Sequence, residues 1–352
     1  MVEPWERSFE LLGTDSRDVL RALLHLRLPT VSAAGIQALR GPSPGDPDAV
    51  LNELAGSGWL VETGPEWTVA QDASSWLGGR VEPRAAEVAL DRLSAYLVNE
   101  LAVRRGEIHA IQGAEIVAVV RALASTRPAQ SVVFARAVWR TLSTPSSPAV
   151  QEWWQELADA GEDAAIATRT PGELIDLLQE SGDALANAGE SFRADRQWRR
   201  AYALTEKLGD RERSAELLLR VGRLRRGKGA FGRALTVFHE LVSLRQDTDN
   251  EPGLAEALTE LGITLFDAGR DTEARHFLER AGSVMSPGDD AVVPTSARRT
   301  EVLIAIGRAW EHAHAPAKAM VHYGRALAAL IDVDDVAADE VRTMLAAARD
   351  SR

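Results

Sequence analysis

The sequence predicts an all-α chain: a solenoid of helix hairpins, preceded by an irregular helical module and a small N-terminal domain with one β-hairpin. Three observations predict it. A glycine recurs in the C-terminal half at spacings of 40, 40 and 45 residues, as Gly182, Gly222, Gly262 and Gly307. The 352 residues are alanine-rich, with 45 % hydrophobic and 26 % charged side chains, a balance that favours packed helices over sheet or disorder. Only residues 59–70 alternate in the two-residue rhythm of paired strands.

Residues 1–80 come first. MVEPWERSFELLG holds acids and no apolar run, so it is not a secretory signal. Asp15 or Ser16 is placed to cap a helix through Arg27 carrying Val19, Leu20, Leu23, Leu24 and Leu26, and Leu28-Pro29-Thr30 ends it. Residues 31–40 make a second helix. Asp46-Pro47-Asp48 opens a third over 47–57, with Val50, Leu51 and Leu54 apolar. WLVETGPEWTVA then folds back at Thr63-Gly64-Pro65 as a hairpin. Three helices and a hairpin is the winged-helix order, in which the third helix and the wing would read DNA. Charge argues against that use. Residues 1–80 carry six basic and eleven acidic side chains, and the third helix has no Lys or Arg. Phosphate contacts need cations or donors, so the segment is expected to contact protein and not nucleic acid.

Residues 81–170 predict a less regular helical module. Ala86, Leu90, Leu93, Leu97 and Leu101 keep helical spacing. A second helix covers about 107–124, and a third from about 129 carries Phe134, Ala135, Val138 and Trp139. Residues 143–148, STPSSP, read as a linker. In the next helix Trp153 and Trp154 are adjacent, which puts one in a core and the other at a contact surface, or leaves it a loosely covered core residue.

Residues 171–333 hold the repeats. Twelve residues after each glycine of the column stands Ala194, Ala234, Ala274 or Ala319. Four further on come Trp198, Phe238, Leu278 and Tyr323, then three further Ala201, Leu241, Ala281 and Ala326. Leu178, Leu218, Leu258 and Leu303 precede the glycines by four. A glycine on one helix and an alanine–large–small stripe on the next describe two helices in close approach. Thr170-Pro171-Gly172-Glu173 reads as a capping box starting the first hairpin, and Pro287-Gly288-Asp289-Asp290 as the break that lengthens the last period. Residues 334–352 supply a final helix to cover the open end of the solenoid.

These columns resemble the tetratricopeptide repeat in a long-period form. With the hairpin GWLVETGPEWTVA, the helix EIHAIQGAEIVAVVRAL and the segments AEALTELG and GRDTEA, the chain is similar to the C-terminal half of actinobacterial STAND-class regulatory NTPases. That resemblance implies a winged helix packed on an ATPase module and repeats that sense a ligand or partner. The chain departs from the family in having no nucleotide-binding domain. It is a repeat-only relative, a protein whose ATPase partner is a separate chain, or a piece of a longer one.

Catalytic and cofactor chemistry are not expected, and the chain reads as a non-enzyme without cofactor or metal. There is no cysteine, so disulfides, thiolate metal sites and cysteine nucleophiles are excluded. Gly222 to Lys228 fits G-x-x-x-x-G-K, but Gly229 follows where Ser or Thr should bind magnesium, and no strand precedes it. His312, His314 and His322 lack a fourth ligand and read as exposed turn residues. Asp332, Asp334 and Asp335 lack the glycine and terminal glutamate of a calcium loop and read as caps for the last helix. No apolar run is long enough for a transmembrane helix, and a cytoplasmic location follows as the default. The net charge of −12 repels nucleic acid. Against it stands one basic stretch, Arg193 to Arg233, with thirteen basic and five acidic residues, a solvated face or a docking patch for an acidic partner.

The expected binding surface is the groove lined by the first helix of each hairpin, at positions three before, one after and four after the glycine. These are Gln179, Asp183 and Ala186; Leu219, Arg223 and Arg226; Thr259, Ile263 and Phe266; Ile304, Arg308 and Glu311. Apolar residues flanked by three arginines suit a peptide with apolar anchors and a carboxylate. Three functions fit: a scaffold binding a protein or peptide (a separate ATPase subunit or an acidic segment among them), a DNA-binding regulator acting through the winged helix, and an intracellular signal-peptide receptor.

Overall fold

The computed structural model describes residues 4–28, 30–43, 46–72, 76, 83–104, 110–142, 153–248, 250–285, 297–330 and 335–351. Among them are seventeen helices and a single two-stranded sheet, the all-α class that the glycine column and alanine content predict. The linker at 143–148, the break at 287–290, Pro29, Asp332, Asp334 and the side chains of Ala86 and Asp335 lie outside the described residues. The chain forms two compact units, Met1–Ala201 and Tyr202–Arg352.

Unit 1 opens with α1 (Pro4–Leu11), a helix the sequence reading did not contain. Its Trp5 and Phe9 pack on the fully buried Trp59, whose indole N–H donates to Ser8 Oγ at 3.1 Å. Then come α2 (Thr14–His25), α3 (Ala33–Arg40), α4 (Ala49–Gly56), β1 (Leu60–Thr63) and β2 (Glu66–Val69), the expected order. β1 and β2 pair antiparallel, and Val31 bridges to Trp67 beside them. Neither Asp15 nor Ser16 caps α2, which starts earlier with Gly13 as its N-cap. The acid serving that helix end is Glu53 of α4, which accepts from the Gly13 amide and the Ser16 hydroxyl. Capping here is tertiary, so a local scan misses it.

The helical module consists of α5 (Pro83–Arg104), α6 (Ala110–Thr126), α7 (Pro128–Leu142) and α8 (Trp153–Ala167). Leu90, Leu93, Leu97 and Leu101 are buried as their spacing requires. Trp153 and Trp154 are both buried, so of the two expectations for the second tryptophan the covered core residue holds and the contact surface does not. Helix α8 packs on α6, α7 and the following helix at once, which covers more than one of its faces. Trp154 meets Trp139 edge to face at 5.6 Å, while Trp153 lies over Gly113. Helix α9 (Pro171–Asn187) starts where the proline placed it. The capping box does not form: the Thr170 hydroxyl donates to Thr168 O, and Glu173 pairs with Arg136.

The hairpins are α9 with α10 (Ser191–Leu208), α11 (Arg211–Gly227) with α12 (Phe231–Gln246), α13 (Glu251–Asp267) with α14 (Asp271–Val284), and α15 (Ala297–His312) with α16 (Pro316–Leu330). The unit division falls within α10. The glycine column has one physical cause. A Cβ on Gly182, Gly222, Gly262 or Gly307 would come within 3.0 Å of Trp198, Phe238, Leu278 or Tyr323, each sixteen residues on. The alanines at +12 are all fully buried. Between the two helices of a hairpin, Gly189, Gly229 and Gly269 take positive φ; in the fourth hairpin His314 does so at 52°, a left-handed turn without glycine. Helix α17 (Asp335–Asp350) packs on α16 and buries Ala338, Val341 and Ala348. These are tetratricopeptide-like hairpins in a longer-period version.

Candidate partner-binding face

In unit 2 the first helices α11, α13 and α15 follow one another, and their side chains meet. Arg223 of α11 reaches Glu260 of α13, and Phe266 of α13 meets His312 of α15 edge to face at 6.3 Å. Leu219, Ile263, Phe266 and Ile304 are half-buried there. Arg308 is exposed and makes no ion pair among the described residues. Glu311 accepts from the Tyr323 hydroxyl at 2.7 Å, which burial and that bond hold protonated well above the ordinary range. Gln179 belongs to unit 1. It is half-buried, and its carbonyl, with Asp183 Oδ1, accepts from the Trp198 indole.

Two expectations about this face do not hold. Thr259 does not line it: the residue is 2 % exposed and its hydroxyl donates to Ala255 O. Arg223 and Arg226 are not free to grip a partner. Arg223 bonds Glu260 and Glu256 at 2.6 and 3.1 Å, and Arg226 bonds Glu260 and lies 3.8 Å from Asp267. Burial pulls the Arg223 pKa down, but Glu260 and Glu256 outweigh it and hold the guanidinium protonated more firmly than usual. Glu256 also receives Arg298 of α15, and Asp267 also bonds His312. Two of these acids, Glu256 and Glu260, stand six and two before the packing glycine and Asp267 five after it, positions on the next helix outside the three groove positions of each repeat.

Those acids had a sequence signal. Asp176 and Glu180 stand six and two before Gly182, as Glu256 and Glu260 stand before Gly262. In unit 1 they receive Arg136 of α7, and Glu180 receives Arg140 as well. The same two columns thus close the α7–α9 seam and the α11–α13 seam with arginine. Part of the basic stretch from Arg193 is also paired within the protein, mostly in exposed or local contacts. In unit 1, Arg193 pairs with Glu190 and Arg200 with Glu162; in unit 2, Arg211 pairs with Asp247 and Arg220 with Glu216.

The phosphate-loop lookalike is helical over Gly222 to Gly227, with Gly222 against Phe238, so no amide cradle exists. His312 and His314 are exposed near the turn, but His322 is buried against Gly282, which corrects its assignment as an exposed turn residue. Among the described residues no three His, Asp or Glu gather as a metal site, and no helix is long and apolar enough to cross a membrane.

No protein-family model matches the chain, and no curated protein does. Solved structures resemble it. A Signal Transduction ATPase with Numerous Domains (STAND) protein with a tetratricopeptide repeat sensor, from Pyrococcus horikoshii, aligns with 97 % of this chain at 14 % identity and a TM-score of 0.40. The chain spans 60 % of that protein's length. BtubC (BKLC) from P. vanneervenii aligns at 15 % identity and a TM-score of 0.45, over 68 % of this chain and 92 % of its own. Aspartyl phosphate phosphatase F from Bacillus subtilis aligns at 8 % identity and a TM-score of 0.40, over 97 % and 95 %.

Proposed function

We propose that this chain is a non-enzymatic interaction scaffold that seats a protein or peptide segment on the α11–α13–α15 face of unit 2. One observation carries the reading: Arg308 stands exposed and unpaired beside a half-buried apolar strip, while the arginines on the other flank are neutralised by the protein's own acids. An occupant with apolar anchors for Ile263, Phe266 and Ile304 and a carboxylate for Arg308 complements that face. A separate ATPase subunit with an acidic segment is one such partner. The acidic N-terminal domain favours protein contact over DNA, since α4 and the hairpin carry no cation.

Selection of peptides from a displayed random library on the immobilised protein tests this. Selected peptides should pair an acidic residue with large apolar ones. Arg308→Glu should weaken them by about 30-fold, roughly 2 kcal/mol, and Thr236→Glu on α12 should leave them unchanged. Peptides that bind Arg308→Glu and Ile263→Asp as tightly as the parent would place the site elsewhere.

A further inference from the structure

Within unit 1 the short helix α3 is gripped at both ends by the helical module. At its start, Glu115 of α6 accepts from the Ser32 amide at 2.6 Å and from the Ser32 hydroxyl at 2.8 Å. Ser32 in turn accepts from the Gly35 amide as the N-cap. At its end, Arg92 of α5 donates to the carbonyls of Leu39 and Arg40, at 3.3 and 2.7 Å. A carboxylate at a helix start and a guanidinium at its end both complement the helix dipole. The fit is close at each end: a Cβ on Gly35 would come 2.6 Å from Glu115, and one on Gly41 2.6 Å from Arg92.

The two ends differ in solvation. Arg92 is exposed, whereas Glu115 is fully buried and its second oxygen, Oε2, has no hydrogen-bond partner among the described residues. A buried anion with one oxygen unmet is costly; a neutral acid with its proton on that oxygen is much less so. The groups facing Glu115 are Ser32 on α3 and Glu66 on β2, whose negative charge adds to the cost of ionisation. Burial, the largest effect, raises the Glu115 pKa, and the two Ser32 bonds offset it only in part.

We infer that Glu115 is a proton-dependent latch holding the α2–β2 segment on the helical module. Docked, the latch carries its proton. When α3 lifts away, water reaches Glu115 and the proton leaves to solvent. The docked form therefore binds one proton more than the open form at pH values above the ordinary carboxylate range. Raising the pH weakens docking by up to about tenfold per pH unit until the docked acid is itself ionised, and not beyond. The segment that loosens is the start of α3 with the Val31–Trp67 bridge, the part tied directly to Ser32.

Amide hydrogen exchange reads this in the full chain. The reporters are the Ser32 amide, which donates to Glu115 across this junction, and the Gly35, Ile36, Val31 and Trp67 amides, bonded within the segment beside it. After correction for intrinsic exchange rates, their protection should fall by up to tenfold per unit as the pH rises above the ordinary carboxylate range, while the amides of α13 hold steady. Glu115→Gln should abolish the fall. Glu66→Gln, on the half-exposed hairpin, should end the fall at lower pH, because the latch then ionises more readily. Flat protection in the wild type, or an unchanged slope in Glu115→Gln, overturns the latch. If Glu115→Gln does not fold by circular dichroism, the wild-type slope and its response to Glu66→Gln decide, and a slope unmoved by Glu66→Gln counts against it.

Discussion

The α11–α13 and α13–α15 seams of unit 2 use the same packing columns, yet different chemistry closes them. Across the first, Arg223 and Arg226 meet Glu256, Glu260 and Asp267. Across the second, Arg298 pairs with Glu256 at one end and His312 with Asp267 at the other, and between them lie Ile263, Phe266, Ile304 and the unpaired Arg308. One seam spends its arginines on ion pairs, and the other leaves Arg308 exposed without one among the described residues. A charged residue at a groove position is thus no evidence of binding until the facing positions on the next helix are known.

The largest expected effect tests the closed seam. The Glu260 side chain is only 9 % exposed, and both its oxygens are bonded to arginine. Replacing Arg223 and Arg226 together with Ala leaves that carboxylate buried and unpaired. The cost should be about 3–5 kcal/mol in urea unfolding, the range for breaking a buried pair by removing one side. These arginines hold fold positions, so loss of partner binding in the same variant would not report on the groove. A double variant as stable as the parent would reopen the reading of this seam as structural.

What the sequence reveals follows from this contrast. The hairpins were legible because Gly182, Gly222, Gly262 and Gly307 each answer to a neighbour sixteen residues away, a local and repeated constraint. The hairpin at 59–70 was legible for a similar reason, as its alternation is local. The ion pairs of the closed seam were not, since Arg223 and Glu260 are 37 residues apart and sit in different columns. The Glu53 cap on α2, 40 residues from Gly13, was hidden likewise. The contact surface expected for one of the two tryptophans was misjudged because one helix viewed alone shows no sign that α6, α7 and α9 enclose it.

A smaller effect lies between the second helices behind the open seam. His322 of α16 sits against Gly282 of α14, 7 % exposed, with Nδ1 lacking a hydrogen-bond partner. Burial, and then the charge of Arg325, lower its pKa to about 4. The unfolded chain takes up a proton near the usual 6.5 and the folded chain only near 4, so stability is full above about pH 6.5 and declines as pH falls between those values. The loss should be about 2 kcal/mol by pH 4, read as urea midpoints across pH, and His322→Leu should remove that share of the slope. A slope retained in His322→Leu would assign it to other groups.

The packing columns beneath both seams predict a change of similar size. Gly262→Leu drives a side chain into Leu278 and should cost about 1–3 kcal/mol by overpacking. Gly227→Ala, at the last residue of α11 with open space around it, should be neutral or slightly stabilising. Equal melting temperatures for the two variants would break the glycine column as the organiser of the repeats.

The smallest stability effect is the most informative about function. Arg308→Ala removes an exposed side chain with no ion pair to break, so the melting temperature should move by less than about 0.5 kcal/mol in equivalent stability. Its charge acts on the Tyr323 hydroxyl, where it opposes the raising of that pKa by burial and Glu311. The Tyr323–Glu311 bond stays protonated at neutral pH with or without it. If a peptide selected on the protein loses about tenfold in affinity to Arg308→Ala at unchanged stability, the residue belongs to the occupant. If the same peptide is indifferent to Arg308 and instead lost with Arg223→Ala at unchanged stability, the open and closed seams exchange roles: the ion pairs of α11 and α13 would then be opened by the partner, and Glu260 would be the group it displaces.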